Sequence, residues 1–314
     1  MTYRRLGRTG LRVSSVSIGG WLTLGASVDE DMAIAVLHRA LDLGINFIDL
    51  ADVYARGEAE RVAGRALRDH RRQDLVISSK VFWPMSDDVN DRGLSRKHIH
   101  ESIDATLRRL GTDYVDLYFC HRHDPDTPLE ETVRAMDDLV RAGKVLYWGT
   151  SVWTADQLRA AHAMADRFLA YRPVVEQPRH NLLDRSVERD VLPAARELGM
   201  GVVTWSPLAQ GLLTGKYNEG VPPGSRGATS SWLDAHLVPE TLERVRAFCA
   251  LADDLGLRPA ELALAWALHV PGITSVITGA SRPEQVEENA AAAGVELAPE
   301  TLDRLDALFP LPKE

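Results

Sequence analysis

The stretch Gly44-Ile-Asn-Phe-Ile-Asp49-Leu-Ala-Asp52-Val-Tyr54-Ala-Arg-Gly57-Glu-Ala-Glu60 decides how this chain is read. The run Ile45 to Ile48 is too short for a helix and follows Gly44, so it reads as a buried strand. It ends in the carboxylate Asp49, and Asp52 and Tyr54 sit where the strand opens into a loop. A charge at the end of a buried strand is costly unless it is paired. The partner is expected at Lys80, which closes the next apolar run, Leu75 to Lys80.

Outward from this stretch, strands and helices alternate. Ser14 to Gly20 reads as a strand. Ser27-Val28-Asp29-Glu30 reads as a capping box that opens a helix with Ala33, Val36, Leu37 and Ala40 on one face. A helix over Gly57 to Arg68 follows the strand ending at Asp49. Helical spacing runs through Ile99, Ile103, Leu107 and Leu110 between Ser95 and Leu110. Tyr114 to Cys120 is a strand. Thr127-Pro128-Leu129-Glu130 is a second capping box, with Pro at the first helical position and a helix to Arg141. Val145 to Gly149 is a strand, and Thr154-Ala155-Asp156-Gln157 caps the next helix. Strand Val174 to Gln177, helix Val187 to Leu198 and strand Gly201 to Trp205 come next. A long loop over Ser206 to Pro239 interrupts the rhythm. Helices Glu240 to Leu255 and Pro259 to Leu268 precede the strand Ser275 to Thr278. Ser281-Arg282-Pro283-Glu284 caps the last barrel helix, and Thr301 to Leu308 is a short terminal one.

Short apolar strands alternating with helices imply a parallel sheet covered on both faces. Eight such units imply a closed (β/α)₈ barrel formed by residues 1–314 as one domain, with a long loop after strand 7 and extra C-terminal helices. The alternative is an open doubly wound sheet, which normally announces a G-x-G-x-x-G turn after its first strand. Gly19-Gly20-Trp21 is not that turn.

Composition narrows the function classes. The 314 residues are 45% hydrophobic and 26% charged, with a net charge of -9. An acidic balance argues against nucleic acid as a partner. No apolar run is long enough to span a bilayer, so no membrane insertion is expected. Met1-Thr2-Tyr3-Arg4-Arg5 has no apolar segment behind it, so no secretory signal is read. Two cysteines, Cys120 and Cys249, do not make a disulfide scaffold and suit a reducing cytoplasm. Basic residues are nearly all Arg, and the lysines are Lys80, Lys97, Lys144, Lys216 and Lys313. Lys titrates when buried and Arg does not, so a retained Lys draws attention.

Barrel chemistry gathers at the C-terminal ends of the strands. Those ends are Trp21, Asp49, Lys80, His121, Ser151, Gln177, Trp205 and Gly279. Asp49, Tyr54, Lys80 and His121 would converge on one mouth as a catalytic set. Tyrosine ordinarily titrates near ~10, too high for efficient proton transfer at neutral pH. A close ammonium is expected to lower that value, Asp49 to hold Lys80, and His121 to hydrogen-bond the oxygen that receives the proton. Proton delivery to a carbonyl oxygen needs a hydride for its carbon, and no side chain supplies one, so a nicotinamide cofactor is implied.

These segments resemble the aldo-keto reductases. The resemblance rests on Gly44 to Tyr54, Ser78-Ser79-Lys80, Asp-Leu-Tyr-Phe-Cys-His121-Arg, Gly143-Lys144-Val-Leu-Tyr-Trp-Gly-Thr-Ser151, Glu176-Gln177, Thr204-Trp205-Ser-Pro-Leu-Ala-Gln-Gly211 and Thr278-Gly-Ala-Ser281. It spans the chain from Tyr3 to the last helix. Trp148-Gly-Thr-Ser151 and Trp205-Ser-Pro-Leu look closest to the branch holding the β subunits of voltage-gated potassium channels and their bacterial relatives.

The resemblance implies an NADPH-dependent reductase of aldehydes and ketones, with Tyr54 as general acid and Asp49, Lys80 and His121 completing a tetrad. It implies that Ser151 and Gln177 hold the nicotinamide carboxamide and that Trp205 stacks on its ring. Gly20, Trp21, Asp49, Ser206, Leu208, Lys216 and Arg226 would line the nicotinamide and pyrophosphate path. Gly279, Ser281, Gln285, Glu288 and Asn289 would hold the adenosine end. The helix near Arg282 also offers its N-terminus to a 2′-phosphate. Trp21, Tyr54, Trp83 and His121 would line the substrate pocket. A homo-oligomer is left open, since channel subunits are tetramers and many other members are monomers.

The pattern also departs from its relatives. Channel subunits carry Asn where this chain has His121, which favours an active reductase over the alternative, a cofactor-sensing regulatory binding protein. Val152 follows Ser151 where relatives often place Asn or Arg, Gly224 replaces an aromatic, Leu50 a small polar residue, and His123 a Pro. Asp52 reads as a loop carboxylate. His121 and His123 are not read as a metal pair, so no metal site is expected. Trp83 and Trp153 are either pocket walls or packing. Cys120 inside a strand is an inert thiol, and Ser206 lacks the G-x-S-x-G elbow of a hydrolase.

Overall fold

The computed structural model describes residues 1–229, 233–234 and 236–312. Part of the expected Ser206 to Pro239 loop, and Lys313, therefore lie outside the described residues.

The chain opens with an element that the periodicity does not announce. β1 (Tyr3–Arg5) and β2 (Arg12–Ser14) form an antiparallel hairpin. Three-residue strands are too short to show a period of two, which is why they escape a pattern reading. The hairpin closes the N-terminal end of the barrel. Leu6 and Val13 are fully buried and pack with Phe47, Phe119, Val175 and Val203 inside it. Gly7 turns at φ 55°, where a Cβ would stand 2.5 Å from the Gly199 carbonyl oxygen and the Gly201 nitrogen. The Ser14 amide donates to Asn46 Oδ1 at 2.8 Å, which gives the one polar residue in the Ile45 to Ile48 run its partner.

The barrel is closed, parallel and eight-stranded, in chain order. Its strands are β3 (Val16–Gly19), β4 (Phe47–Asp49), β5 (Val76–Val81), β6 (Val115–Cys120), β7 (Val145–Thr150), β8 (Val175–Glu176), β9 (Gly201–Trp205) and β10 (Ile273–Thr278). β10 returns beside β3, with Val276 opposite Val16 and Thr278 opposite Ile18. The strands are buried on both faces, apart from Leu146 and Tyr147 in β7 and Trp205 at the end of β9, because helices cover the outside and side chains fill the inside.

The surrounding helices are α1 (Glu30–Asp42), α2 (Glu58–Leu67), α3 (Arg96–Leu110), α4 (Leu129–Arg141), α5 (Ala155–Arg167) and α6 (Val191–Leu198). After β9 come the four-residue α7 (Arg226–Thr229), then α8 (Pro239–Asp254) and α9 (Pro259–His269). α10 (Pro283–Ala291) and α11 (Pro299–Leu308) follow β10. The segment expected as an irregular loop after β9 thus contains α7 and a 3₁₀ turn over Ala209–Thr214.

Three of the four expected caps differ. α1 is capped by Asp29, whose carboxylate accepts from Met32, while Ser27 bonds the Leu22 carbonyl instead. α4 begins after Pro128 without a side-chain cap, because Thr127 donates its hydroxyl to Asp124. α10 begins after Arg282 without a side-chain cap, since Ser281 bonds Gln285. The Thr154–Gln157 box forms as expected. In each miss a nearer polar partner takes the hydroxyl that sequence spacing assigns to the helix end.

Candidate active site

With the hairpin sealing one end of the barrel, the strand C-termini at the other are the open face. Asp49 is the last residue of β4, Lys80 the penultimate residue of β5, and His121 follows β6. Ser151 follows β7, Gln177 follows β8, Trp205 ends β9 and Gly279 follows β10. Tyr54 stands on the loop after β4, whose left-handed residues Ala55 and Arg56 turn it into α2.

Lys80 organises the cluster. An ammonium has three N–H donors, and all of those of Lys80 are used. It donates to Asp49 Oδ2 at 2.6 Å, to the Leu50 carbonyl at 2.7 Å and to Tyr54 Oη at 3.2 Å. Lys80 has no solvent exposure, and burial works against its charge. Asp49 first and Tyr54 next more than offset that cost, so its pKa lies above the ordinary lysine value. Asp49 is held in turn by the Ser78 hydroxyl at 2.7 Å and by the Gln177 amide at 2.9 Å. The Gln177 contact crosses the barrel mouth from β8 to β4.

Tyr54 does not titrate as expected. Lys80 does lower its pKa, but burial is the larger influence and Asp49 adds to it, so the hydroxyl lies above 10. A desolvated phenolate costs more than one neighbouring ammonium returns, since Asp49 already half-neutralises that ammonium. His121 stands beside Tyr54 with ring centroids 5.9 Å apart, edge to face. Burial, then Lys80, then Arg122 push its pKa well below 6.5, so the imidazole is neutral. Its Nδ1 is buried without a partner among the described residues. With Nδ1 left as the unpaired acceptor, the proton of the neutral ring would sit on Nε2. The cluster therefore holds a protonated phenol, its ammonium neighbour and a neutral imidazole donor around one opening.

The flanking residues separate into two groups. Trp83 is 38% exposed and sets its ring against His121 at 6.3 Å, which makes it a wall of the opening. Trp153 is buried and packs on His123 at 4.9 Å, so it is packing. His121 and His123 thus face different neighbours. Cys120 is fully buried, and burial pushes its thiol up, consistent with an inert side chain. Among the described residues, no group of three or more His, Cys, Asp or Glu is arranged to hold a metal.

The burial of three carboxylates behind the mouth was not readable in the sequence. Asp52, expected as a loop carboxylate, is fully buried and accepts from Ser102 at 2.8 Å; burial raises it to about 7. Glu176 accepts from the Thr150 hydroxyl and the Trp153 amide, and burial raises it also to about 7. Glu60 accepts from Ser79 and Arg109. Their polar partners come from other strands and helices, which a linear pattern does not reveal.

The rim also offers what a dinucleotide needs. Trp205, half-exposed, is followed by Ser206 at φ 53°, and Asn181 pins that turn by donating to the Ser206 carbonyl at 3.0 Å. The Ser151 hydroxyl donates to the Gln177 carbonyl at 2.9 Å. The Arg226 guanidinium lies 5.5 Å from the Trp21 ring. Lys216, exposed, has no carboxylate within 4.0 Å among the described residues. Leu208 packs against the core beside the 3₁₀ turn. A Cβ on Gly279 would meet open space, so this position leaves room for a ligand. Gly20 is packed more closely: a Cβ there would stand 2.9 Å from a Leu50 methyl group, which would have to shift. Where the adenosine end is expected, Ser281 and Gln285 bond each other at 2.8 Å, and Glu288 pairs with Arg258 at 3.1 Å. Asn289 is buried on α10. A flat stacking surface, amide partners and cations without counter-ions fit a nicotinamide dinucleotide phosphate.

The aldo/keto reductase family model matches residues 15–309, nearly the whole chain. The chain belongs to the aldo/keto reductase family. Among its family relatives, a probable voltage-gated potassium channel subunit beta of Oryza sativa subsp. japonica is 46% identical, covering 98% of this chain and 96% of that one. A protein of the same description from Arabidopsis thaliana is 46% identical over 98% of this chain and 97% of its own. A putative voltage-gated potassium channel subunit beta of Schizosaccharomyces pombe is 43% identical over 98% and 93%. The closed eight-stranded barrel is that family's fold, as the resemblance in the sequence implied.

Proposed function

We propose that this aldo/keto reductase is an NADPH-dependent enzyme that reduces aldehydes and ketones to alcohols. The observation that carries the reading is the Lys80 ammonium bonded to Asp49 at 2.6 Å and to Tyr54 Oη at 3.2 Å, with the neutral His121 beside them. When bound, a reduced nicotinamide would supply the hydride. Ser151 and Gln177 would orient its carboxamide and Trp205 its ring; Arg226 and Lys216 would meet its phosphates; and Ser281, Gln285, Glu288 and Asn289 would meet its adenosine end.

The chain's own residues then supply binding and a proton. The carbonyl oxygen would accept hydrogen bonds from Tyr54 Oη and His121 Nε2. As negative charge grows on that oxygen, Tyr54 would give up its proton. Lys80 would stabilise the tyrosinate left behind, which is where its contact matters most. Asp49 keeps Lys80 charged and aimed. Trp21 and Trp83 would exclude water from the carbonyl. No membrane-spanning helix is present among the described residues. We read the protein as acting in the cytoplasm, where its free cysteines stay reduced.

A second reading is favoured by the relatives' descriptions: a regulatory subunit that binds the cofactor with little turnover. NADPH oxidation at neutral pH against a panel of aldehydes and ketones separates the two, with wild type beside Tyr54→Phe. Turnover by wild type, lost in a Tyr54→Phe variant that still binds NADPH, supports the reductase. Binding by both with turnover by neither overturns it.

A further inference from the structure

Among the described residues, the buried and half-buried arginines fall into two groups. Arg39, Arg65, Arg72, Arg109, Arg179, Arg185 and Arg244 each have a carboxylate within 4.0 Å. Arg4, Arg122 and Arg226 do not. Arg4 is satisfied by the Leu268 and Ile273 carbonyls. The other two stand at the barrel mouth, and Arg226, over Trp21, falls on the side assigned above to cofactor phosphates.

Arg122 remains. It is half-buried immediately after His121 and, among the described residues, donates one hydrogen bond, from Nη1 to the His121 carbonyl at 2.5 Å. Its Cζ lies 5.6 Å from the Trp83 ring, the same ring that faces His121. A guanidinium has five N–H donors, so four are uncommitted here. Glu176 lies near enough to feel its charge but spends its own oxygens on Thr150 and Trp153. A partly desolvated cation with no counter-ion is costly in the free protein. A guanidinium laid on an aromatic face and left with an open fork is the arrangement that binds a carboxylate in two-pronged fashion.

We propose that Arg122 selects substrates, and that the preferred ones are aldehydes or ketones carrying a carboxylate, with an apolar spacer lying along Trp83 between the two groups. The inference rests on the reductase reading and adds the substrate class to it. Arg122 would hold the carboxylate while Tyr54 and His121 address the carbonyl.

The test compares wild type, Arg122→Met and Arg122→Lys on the 2-, 3- and 4-carboxybenzaldehydes, each beside its uncharged methyl ester, with NADPH saturating. The quantity read is the ratio of kcat/KM for acid and ester. In Arg122→Met that ratio should fall about 10- to 100-fold for at least one isomer, the range of a charge-assisted hydrogen bond. Arg122→Lys should recover part of it, since a point charge lacks the fork. Benzoate should inhibit the ester reaction competitively in wild type and weaken as an inhibitor by a similar factor in Arg122→Met. If acid and ester fall together and benzoate inhibition is unmoved, Arg122 merely positions His121 and the proposal is overturned. If wild type reduces the esters but shows no preference for any acid over its ester, the substrate class is wrong while the reductase reading stands. If wild type reduces none of these compounds or any other carbonyl, the reductase reading itself fails.

Discussion

The Lys80 ammonium and the Tyr54 hydroxyl lie 3.2 Å apart in a site where Lys80 has no access to water and Asp49 is its counter-ion. The contact serves the tyrosinate more than the phenol, because only the tyrosinate carries charge for the ammonium to meet. Lys80→Met should therefore lower kcat by about 10²- to 10⁴-fold, the range for a disabled general acid. It also leaves Asp49 buried and unpaired, which costs about 3–5 kcal/mol. The double variant Lys80→Met/Asp49→Asn removes that stranded charge. It should regain most of the thermal midpoint and none of the rate. A double variant that regained both would show that Lys80 acts only through stability.

The pH profile follows from the two neighbouring groups. In the proposed role Tyr54 would act as an acid only when protonated, and burial holds its pKa above 10. In the same proposal His121 would donate from Nε2 as the neutral ring, and burial with Lys80 and Arg122 holds its pKa well below 6.5. Neither group changes state across neutrality. kcat for carbonyl reduction should stay level as pH falls through 6.5 and as it rises toward 10. Initial rates with a neutral aldehyde check this. An inflection near 6.5 that disappears in His121→Asn would place the histidine's titration inside the working range and contradict the burial argument.

The barrel and the placing of Asp49, Lys80 and His121 at its strand ends were legible because both write themselves into local sequence. Each strand is a short, mostly apolar run, and the candidate site residues sit at or next to its end, as with Asp49, Lys80 and Trp205. The hairpin was not legible, because three-residue strands have no period and Gly7 reads as any turn. Nor was the elevated Tyr54 pKa, since the strand-end pattern shows the ammonium but not the depth of burial. The arginine after His121 was visible as a letter, but its lack of a counter-ion is a property of the whole surrounding shell. Asp52, Glu60 and Glu176 were hidden for the same reason, their partners lying on other elements.

The Glu60–Arg109 pair gives a stability prediction away from the chemistry. Glu60, on α2, has no solvent exposure and accepts from Arg109 on α3 and from Ser79 on β5. It ties two helices to the strand that carries Lys80. Arg109→Met leaves that carboxylate buried with only a hydroxyl, which should cost about 3–5 kcal/mol. Arg109→Met/Glu60→Gln replaces the charge by a neutral group of the same shape and should restore most of the loss. Urea denaturation midpoints of the single and double variants check this, and equal losses in both would mean that packing of the Arg109 stem, not charge, is what α2 and α3 rely on.

Asp52 and Glu176 make stability fall as pH rises toward neutrality. Asp52 is raised from 3.8 to about 7 in the folded chain, and Glu176 from 4.5 to about 7, in each case first by burial. Between the unfolded and folded pKa values the folded state holds a proton that the unfolded chain has released. The unfolded state therefore binds fewer protons, and the slope of stability with pH is negative in that window. The contribution is complete below about 4, is lost as pH rises to about 7, and stays lost above it. For one carboxylate the full span is on the order of 4 kcal/mol. Paired carboxylates elsewhere pull the other way at low pH, so the effect is isolated by substitution. Asp52→Asn keeps the shape and a bond to Ser102 while removing the charge. Its thermal midpoint relative to wild type should rise by several degrees between pH 5 and pH 8, because the wild type alone must carry a buried anion at the higher pH. A midpoint difference that stays constant across that range would show that Asp52 is already ionised in the folded protein at pH 5.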